Sequence, residues 1–189
     1  MIRLFTLMMA LCLATNVVSR EIAGIEMPDS ITTANDTSLH LNGAGIRSKW
    51  FVDLYVAGLY LTDQQTDAEA ILAADAPMAI RLHIISGLIT SEKMTEATIE
   101  GFDSATGGNT APLQAEIDLF LSSFVEPIKE GDIFDFIYQP QLGISIIKNG
   151  TLKQTMESDA DFKKALFGIW ISDNPAQKSL KHELLGHKV

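Results

Sequence analysis

The chain has 189 residues, with 14 lysines and arginines against 24 aspartates and glutamates, which gives a formal net charge of −10 at pH 7. An acidic chain without a basic cluster is a poor partner for nucleic acid and for anionic membrane surfaces. The length predicts a single domain with a sizeable core, and the single cysteine excludes a disulfide framework.

The first 19 residues have the pattern of an export signal. Arg3 supplies a positive charge, an apolar run extends over residues 4–14, and small residues suited to cleavage follow up to Ser19. The apolar run is too short to span a bilayer. We therefore expect residues 1–19 to be removed, leaving residues 20–189 as a periplasmic or secreted domain without a stable membrane anchor.

Residues 42–61 hold a long apolar run with an arginine, Arg47, ahead of it. From Trp50 onward apolar side chains occupy both alternating positions, which predicts a strand covered on both faces. Gly58 inside this strand indicates a bulge or the close approach of another group. A guanidinium keeps its charge when buried, so Arg47 needs either a protein carboxylate or a ligand oxygen as partner.

The remaining pattern predicts strands and helices in alternating groups. Before the central run, residues 20–38 predict an edge strand and a loop. After it, we predict a helix over residues 67–74 capped by Thr66, a strand over 78–85, a helix over 90–102, and a helix begun by Thr110. The chain then predicts a strand meander over 132–154, a helix from Ser158 to near Gly168, and a helix from Asn174 to near Gly186.

Two local signals stand out among these elements. Asn149-Gly150 between two strand patterns is a strong hairpin signal. Lys93 lies in the first turn of its helix, where the helix dipole disfavours a cation. A surface lysine often breaks this rule, so both a functional and an ordinary role for Lys93 stay open.

Four motifs resemble the chalcone isomerase family. Gly43-Ala44-Gly45-Ile46-Arg47 is similar to its GxGxR segment, and residues 56–61 are similar to its aliphatic-Gly-aliphatic-Tyr segment. Ser91-Glu92-Lys93-Met94 and residues 174–178 follow in the same order. Residues 165–175 resemble a signature of the bacterial chalcone isomerase-like group, which consists of exported proteins mostly without a known reaction.

The order of elements indicates an α+β domain with an antiparallel β-sheet and helices packed on one face. The chalcone isomerase-like fold that the resemblance implies has the same form. The resemblance also implies a cleft between the sheet and the helices that holds an apolar ligand, whose oxyanion meets the arginine.

The family's catalytic pattern is only partly kept. Arg47 and Lys93 match, but Tyr55 stands where a threonine is expected, Thr90 where a tyrosine is expected, and Ala97 where an asparagine is expected. The missing tyrosine and asparagine would orient the reacting ketone and its water, and such groups are each commonly worth about ten- to a thousandfold in rate. We therefore do not expect stereospecific flavanone formation.

We expect an exported, non-catalytic binding protein for a small apolar acid or a lipid-like ligand. Its candidate ligand-binding residues are Arg47, Tyr55, Thr90 and Lys93. An arginine fork with a phenol is suited to a carboxylate head group. No cofactor is expected, and no metal, because His83 has no second ligand at a suitable spacing.

Two alternatives remain. One is an isomerase or intramolecular lyase acting on an unsaturated carbonyl compound, with Arg47 stabilising an oxyanion and Tyr55 handling the proton. The other is an interaction protein whose cleft is filled by its own side chains, with Arg47 paired to Glu92 or Asp53. A cavity beside Arg47 would separate the ligand hypotheses from the filled cleft.

Overall fold

The computed structural model describes residues 19–187. The expected export signal therefore lies outside the described residues, apart from Ser19. The strands are β1 (Ser19–Ile22), β2 (Ile25–Pro28), β3 (Ser30–Thr32), β4 (Ser38–Lys49), β5 (Val52–Leu61), β6 (Met78–Ile84), β7 (Ile133–Gln139), β8 (Gly143–Lys148) and β9 (Thr151–Met156). The α-helices are α1 (Ala68–Ala73), α2 (Ser91–Thr106), α3 (Gln114–Leu121), α4 (Ala160–Ile171) and α5 (Lys178–Leu184), with short 3-10 turns at Ala111–Leu113 and Ser122–Phe124.

Strands β3 to β9 form one antiparallel sheet in which every strand lies beside its neighbours in sequence. The helices pack on one face of this sheet, and the antiparallel hairpin β1-β2 covers part of the other. The predicted α+β architecture is confirmed. The predicted meander is β7-β8-β9, and Asn149-Gly150 turns β8 into β9 with positive φ at both residues.

The central strand β5 is buried on both faces, as its sequence predicts. Ala57 and Leu59 pack into the core under the helices, whereas Val56 and Tyr60 pack into the core under the β1-β2 hairpin. A Cβ at Gly58 would lie 2.6 Å from the Cε of Met27. The close approach that Gly58 indicates is therefore made by the β1-β2 hairpin.

The start of this strand was predicted wrongly. Trp50 and Phe51 do not lie in a buried strand but form the exposed two-residue turn between β4 and β5, with φ of 52° and 67°. Apolar composition alone predicts burial at such positions. A turn usually contains a glycine or asparagine, and neither is present here to reveal it.

Four predicted helix boundaries also need correction. The cap of α1 is Asp67, whose carboxylate accepts from two backbone amides of the first turn. Asp159 caps α4, which continues past Gly168 to Ile171 because its last turns remain packed in the core. Helix α5 begins at Lys178 instead of Asn174, because residues 174–176 are not helical and Gln177 is extended.

A buried lysine joins α4 to α1. Lys163 is 1% exposed, and its Nζ donates to the carbonyl oxygens of Ile71, Leu72 and Ala74 at 2.8, 3.0 and 2.8 Å. These carbonyls belong to the end of α1, where a cation is favoured by the helix dipole. Burial lowers the pKa of Lys163 to about 8.

Candidate functional site

The two glycines before Arg47 allow α5 to lie directly on β4. A Cβ at Gly43 would clash with the backbone of Glu183 and Leu184, and a Cβ at Gly45 would clash with the side chain of Glu183. Gly43, Gly45 and Arg47 alternate along β4 and therefore point to the same face of the sheet. Arg47 is the first large side chain beyond the part of β4 that α5 covers.

Tyr55 is the direct partner of Arg47 in the antiparallel ladder between β4 and β5. Directly paired residues share one face of a sheet, so both side chains point toward the helices. Both are half-buried. Arg47 and Tyr55 are eight positions apart in the sequence. They become neighbours because the Trp50-Phe51 turn folds β5 back alongside β4.

Arg47 is held by uncharged partners. Its Nη1 donates to the carbonyl oxygen of Ser48 at 2.6 Å and to Oε1 of Gln177 at 3.0 Å. Within residues 19–187 the guanidinium makes its hydrogen bonds through Nη1, and no carboxylate lies within 4.0 Å of it. Nε and Nη2 therefore retain donors for a ligand.

The proposed acidic partners of Arg47 are engaged elsewhere. Asp53 accepts from the hydroxyl of Ser48 at 2.7 Å. Glu92 is exposed at the start of α2, where a hydrogen bond with Thr90 lowers the pKa of its carboxyl. The alternative in which either acid neutralises Arg47 is wrong, because neither carboxylate reaches it.

Gln177 connects the site to the last helix and was not recognised from the sequence. Its Oε1 accepts from the backbone N–H of Ser48 at 2.9 Å, and its Nε2 donates to the carbonyl of Ile46 at 3.1 Å. The side-chain amide thus pairs with the edge of β4 as a neighbouring strand would. Its place in the motif of residues 174–178 is the signal that could have identified it.

A cavity of about 590 Å³ opens beside Arg47 and Tyr55. It lies between the sheet, at β4 to β6, and the helices α2 and α4. Its wall is mainly apolar and includes Leu54, Leu82, Ile89, Met94, Ile169 and Trp170. The prediction of a filled cleft is inconsistent with this space.

Tyr55 is oriented by Trp170 on α4. The indole Nε1–H of Trp170 donates to the Tyr55 hydroxyl oxygen at 3.0 Å. Burial raises the pKa of Tyr55 above its ordinary value, although the hydrogen bond from Trp170 and the adjacent Arg47, through its charge and hydrogen bonding, oppose this shift. Tyr55 is therefore protonated at neutral pH, and its O–H hydrogen is available to another acceptor.

The other two candidate residues have different positions. Lys93 lines the cavity but is exposed, and its Nζ pairs with Glu96 at 2.8 Å, which raises the pKa of Lys93. Thr90 is exposed and does not belong to the cavity wall. Its Oγ1 accepts from the backbone N–H of Lys93 at 3.3 Å, which makes it the cap of α2. The structure thus brings Arg47, Tyr55 and Lys93 together but places Thr90 outside the cavity.

Residues 19–187 contain no group of three or more histidine, cysteine, aspartate or glutamate side chains placed to hold a metal ion. His83 lies on β6 opposite Val56, on the face away from the cavity. Among the helices of the described chain, none combines the length and apolar character needed to cross a bilayer.

Comparisons with known proteins identify a family and similar folds. The sequence pattern of a family described as chalcone isomerase-like matches residues 19–186. Among solved structures, the chain is similar to a fatty-acid binding protein of Arabidopsis thaliana, with a TM-score of 0.69 and 20% identity over 89% of this chain and 95% of that chain. No protein with a curated description matches the chain.

Proposed function

Because the chain belongs to the chalcone isomerase-like family, we propose that it is a non-catalytic binding protein for a small apolar acid such as a fatty acid. One observation carries this proposal: a half-buried arginine, to which no carboxylate of residues 19–187 is paired, lies on the wall of an apolar cavity of about 590 Å³. The similar solved structure is that of a fatty-acid binding protein, which is consistent with a ligand of this class.

The carboxylate of the ligand accepts from Arg47 and Tyr55. One or both oxygens accept from Nε and Nη2 of Arg47, and the Tyr55 O–H adds a further donor. Trp170 already donates to the Tyr55 oxygen, so the hydroxyl hydrogen is left to point away from the indole. The three groups together form a polar end for an otherwise apolar cavity.

The tail of the ligand lies along the apolar wall. Leu82, Met94 and Ile169 line the cavity from β6, α2 and α4. Each buried methylene contributes about 0.8 kcal/mol, and a hydrogen bond to a charged group contributes about 1.5–3 kcal/mol. A tail of several methylenes therefore supplies most of the affinity, whereas Arg47 sets the orientation and selects acids over alcohols.

The same geometry favours binding over proton transfer. An isomerase would need a group near Arg47 that exchanges a proton at neutral pH, and Tyr55 holds its proton because burial raises its pKa. Thr90 lies outside the cavity, and Ala97 contributes only a methyl group to its wall. The positions where the family's enzymes place a tyrosine and an asparagine thus add no polar group to the cavity.

The experiment compares acid and alcohol binding in matched variants. The wild-type protein is titrated calorimetrically with a medium-chain fatty acid and with the alcohol of equal length, beside Arg47→Met. We expect the wild type to prefer the acid and Arg47→Met to lose that preference while it still binds the alcohol. Equal affinity of the wild type for both ligands would overturn the carboxylate assignment.

Native mass spectrometry then tests whether such a ligand is bound in the cell. The mature protein is purified without denaturation beside Arg47→Ala. The expected result is an acidic lipid mass that accompanies the wild type and is absent from the variant. A wild-type protein that is empty and binds neither titrated ligand would overturn the proposal.

We also propose that residues 1–19 are an export signal and that the mature protein is periplasmic or secreted. The positive charge, apolar run and small residues of this segment support the proposal, and the family match begins at residue 19. The N-terminal residue of the protein recovered outside the cytoplasm is the test. A start near Arg20 is expected, and a protein that retains Met1 in the cytoplasm would contradict it.

A further inference from the structure

The described part of the chain has three β-hairpins whose two-residue turns have positive φ at both residues. They are Ala23-Gly24, Trp50-Phe51 and Asn149-Gly150. Such turns favour glycine and asparagine, since a side chain with positive φ crowds the backbone. Trp50-Phe51 has two bulky aromatic residues and no glycine. The β4-β5 turn thus departs from the local preference that the other two turns follow.

The aromatic side chains of this turn are exposed. Trp50 is 83% exposed, and Phe51 is fully exposed. Leu88, which is 63% exposed, lines the same cavity as Trp50. Exposed apolar side chains therefore lie at the opening of the apolar cavity. The positive φ of Trp50 and Phe51, together with their exposure, indicates that these residues serve a role outside the folded core.

The charge at this opening differs from that of the whole chain. The cavity wall includes three cations, Arg47, Lys49 and Lys93, and one anion, Glu100. Counted with Glu96, which pairs with Lys93, the cavity region carries a net charge of +1, whereas the chain carries −10. The positive charge at the cavity opening is complementary to the negative phosphate groups of a lipid surface. The rest of the protein is acidic and is therefore repelled by strongly anionic surfaces. Charge therefore favours a zwitterionic phospholipid surface and orients the cavity toward it.

We propose that the Trp50-Phe51 turn docks the protein on a phospholipid bilayer, so that the apolar ligand passes between the bilayer and the cavity. Tryptophan and phenylalanine are suited to the lipid–water interface, where no complementary partner surface is needed. One two-residue turn is too small for a stable protein interface, which buries about 800 Å² on each partner. The identity of the ligand rests on the proposed function, but the docking does not.

The test measures binding of the ligand-free protein to vesicles of phosphatidylcholine. Of the two tryptophans in the chain, Trp50 is exposed and Trp170 is buried. A blue shift of the tryptophan fluorescence emission on adding vesicles therefore reports mainly on Trp50. Co-sedimentation gives the partition coefficient. The wild type is expected to bind and to show the shift.

Phe51→Gly is the main variant because it keeps Trp50 as the reporter. Glycine is suited to the φ of 67° at this position, so the variant should unfold at the same or a higher temperature. We expect its vesicle partition coefficient to fall about tenfold, since burying a phenylalanine is worth at least one such factor. Leu152→Asn is the control, because it removes another exposed apolar side chain on β9, at the opposite edge of the sheet.

Several outcomes would overturn the docking proposal. They are a wild type that ignores the vesicles, a Phe51→Gly variant that binds them as well as the wild type, and a Leu152→Asn variant that loses as much binding. Self-association that Phe51→Gly abolishes, without vesicle binding, would instead make the turn an interface between copies.

Phe51 is not part of the cavity wall, so Phe51→Gly should bind dissolved fatty acid as the wild type does. A failure of ligand binding alone would overturn the proposed function and leave the docking result standing.

Discussion

Trp170 donates its indole N–H to the hydroxyl oxygen of Tyr55 across 3.0 Å, which joins α4 to β5 at the cavity wall. Because the Tyr55 oxygen already accepts a hydrogen bond from the indole, the hydrogen of its hydroxyl group can point only away from Trp170. Tyr55 is thereby pre-organised to donate into the space beside Arg47. Such pre-organisation improves affinity because less ordering is required when the ligand binds.

Tyr55→Phe should weaken binding of the fatty acid by about tenfold, because one hydrogen bond to a charged group is lost. It also leaves the buried Trp170 N–H without its acceptor, so the free energy of unfolding should fall by about 1–3 kcal/mol. Calorimetric titration and denaturant unfolding measure the two effects.

Tyr60→Phe is the matched control for this prediction. Tyr60 donates to the carbonyl of Pro28 at 3.0 Å on the opposite face of the sheet. Its loss should lower stability while the affinity for the acid stays unchanged. An equal loss of affinity in both variants would show that Tyr55 acts through stability alone.

Gln177 is predicted to control both the position of α5 and the partners of Arg47. Gln177→Leu leaves the N–H of Ser48 and the carbonyl of Ile46 unpaired, so stability should fall by about 2 kcal/mol. Gln177→Glu instead places a carboxylate beside Nη1 of Arg47. This internal anion should compete with the ligand and lower the affinity for the acid by about tenfold.

The alcohol of equal length distinguishes competition from general damage in Gln177→Glu. Its affinity should stay close to that of the wild type, because no carboxylate is displaced. If acid and alcohol weaken together, the substitution has altered the cavity itself.

The regions that the sequence predicted well are those set by local chemistry. The apolar run of β5 and the turn at Asn149-Gly150 follow from spacing and residue type. The same chemistry, joined to the family resemblance, placed Arg47 and Tyr55 at one cleft. The sequence could not predict whether that cleft is open, because this depends on how α2 and α4 pack against the sheet.

The features that were missed depend on contacts between distant residues or on broken local rules. Gln177 meets Arg47 across 130 positions of sequence, and no periodicity reveals such a contact. Trp50 and Phe51 violate the usual turn preference, so composition predicted a buried strand. Thr90 matched the family position of a cavity residue, yet its hydroxyl is used by the backbone of α2.

Gly43→Ala and Gly45→Ala should both destabilise the protein because α5 lies directly on these glycines. The new methyl at Gly43 meets the backbone of Glu183 and Leu184, which can move only if the helix moves. The methyl at Gly45 mainly meets the side chain of Glu183, which can rotate in part. We expect about 3 kcal/mol or more for Gly43→Ala and about 1–2 kcal/mol for Gly45→Ala.

Thermal and denaturant unfolding of both variants test this order. Gly87→Ala is the control, since a Cβ there meets no atom within 4 Å. It should leave stability unchanged within about 0.5 kcal/mol. A larger loss for Gly45→Ala than for Gly43→Ala would contradict the assigned packing of α5.

Lys163 should make stability rise with pH between about 8 and 10. Burial lowers its folded pKa to about 8 from the ordinary 10.5. Below pH 8 the lysine is protonated in both states, and the folded protein carries the full cost of the buried charge. Between the two pKa values the unfolded chain binds more protons, so the free energy of unfolding increases with pH.

Comparison with Lys163→Met isolates this effect, because other groups titrate in both proteins. Over pH 8 to 10 the wild type should gain about 2 kcal/mol relative to the variant, from a limiting slope of about 1.4 kcal/mol per pH unit. The gain in this difference ends above about pH 10.5, where the unfolded lysine also loses its proton. In each protein alone, stability falls above pH 10, since burial raises the pKa of Tyr138 to about 12 and the unfolded tyrosine ionises first. A pH-independent difference would mean that the three carbonyls at the end of α1 keep Lys163 charged throughout, with its pKa unshifted.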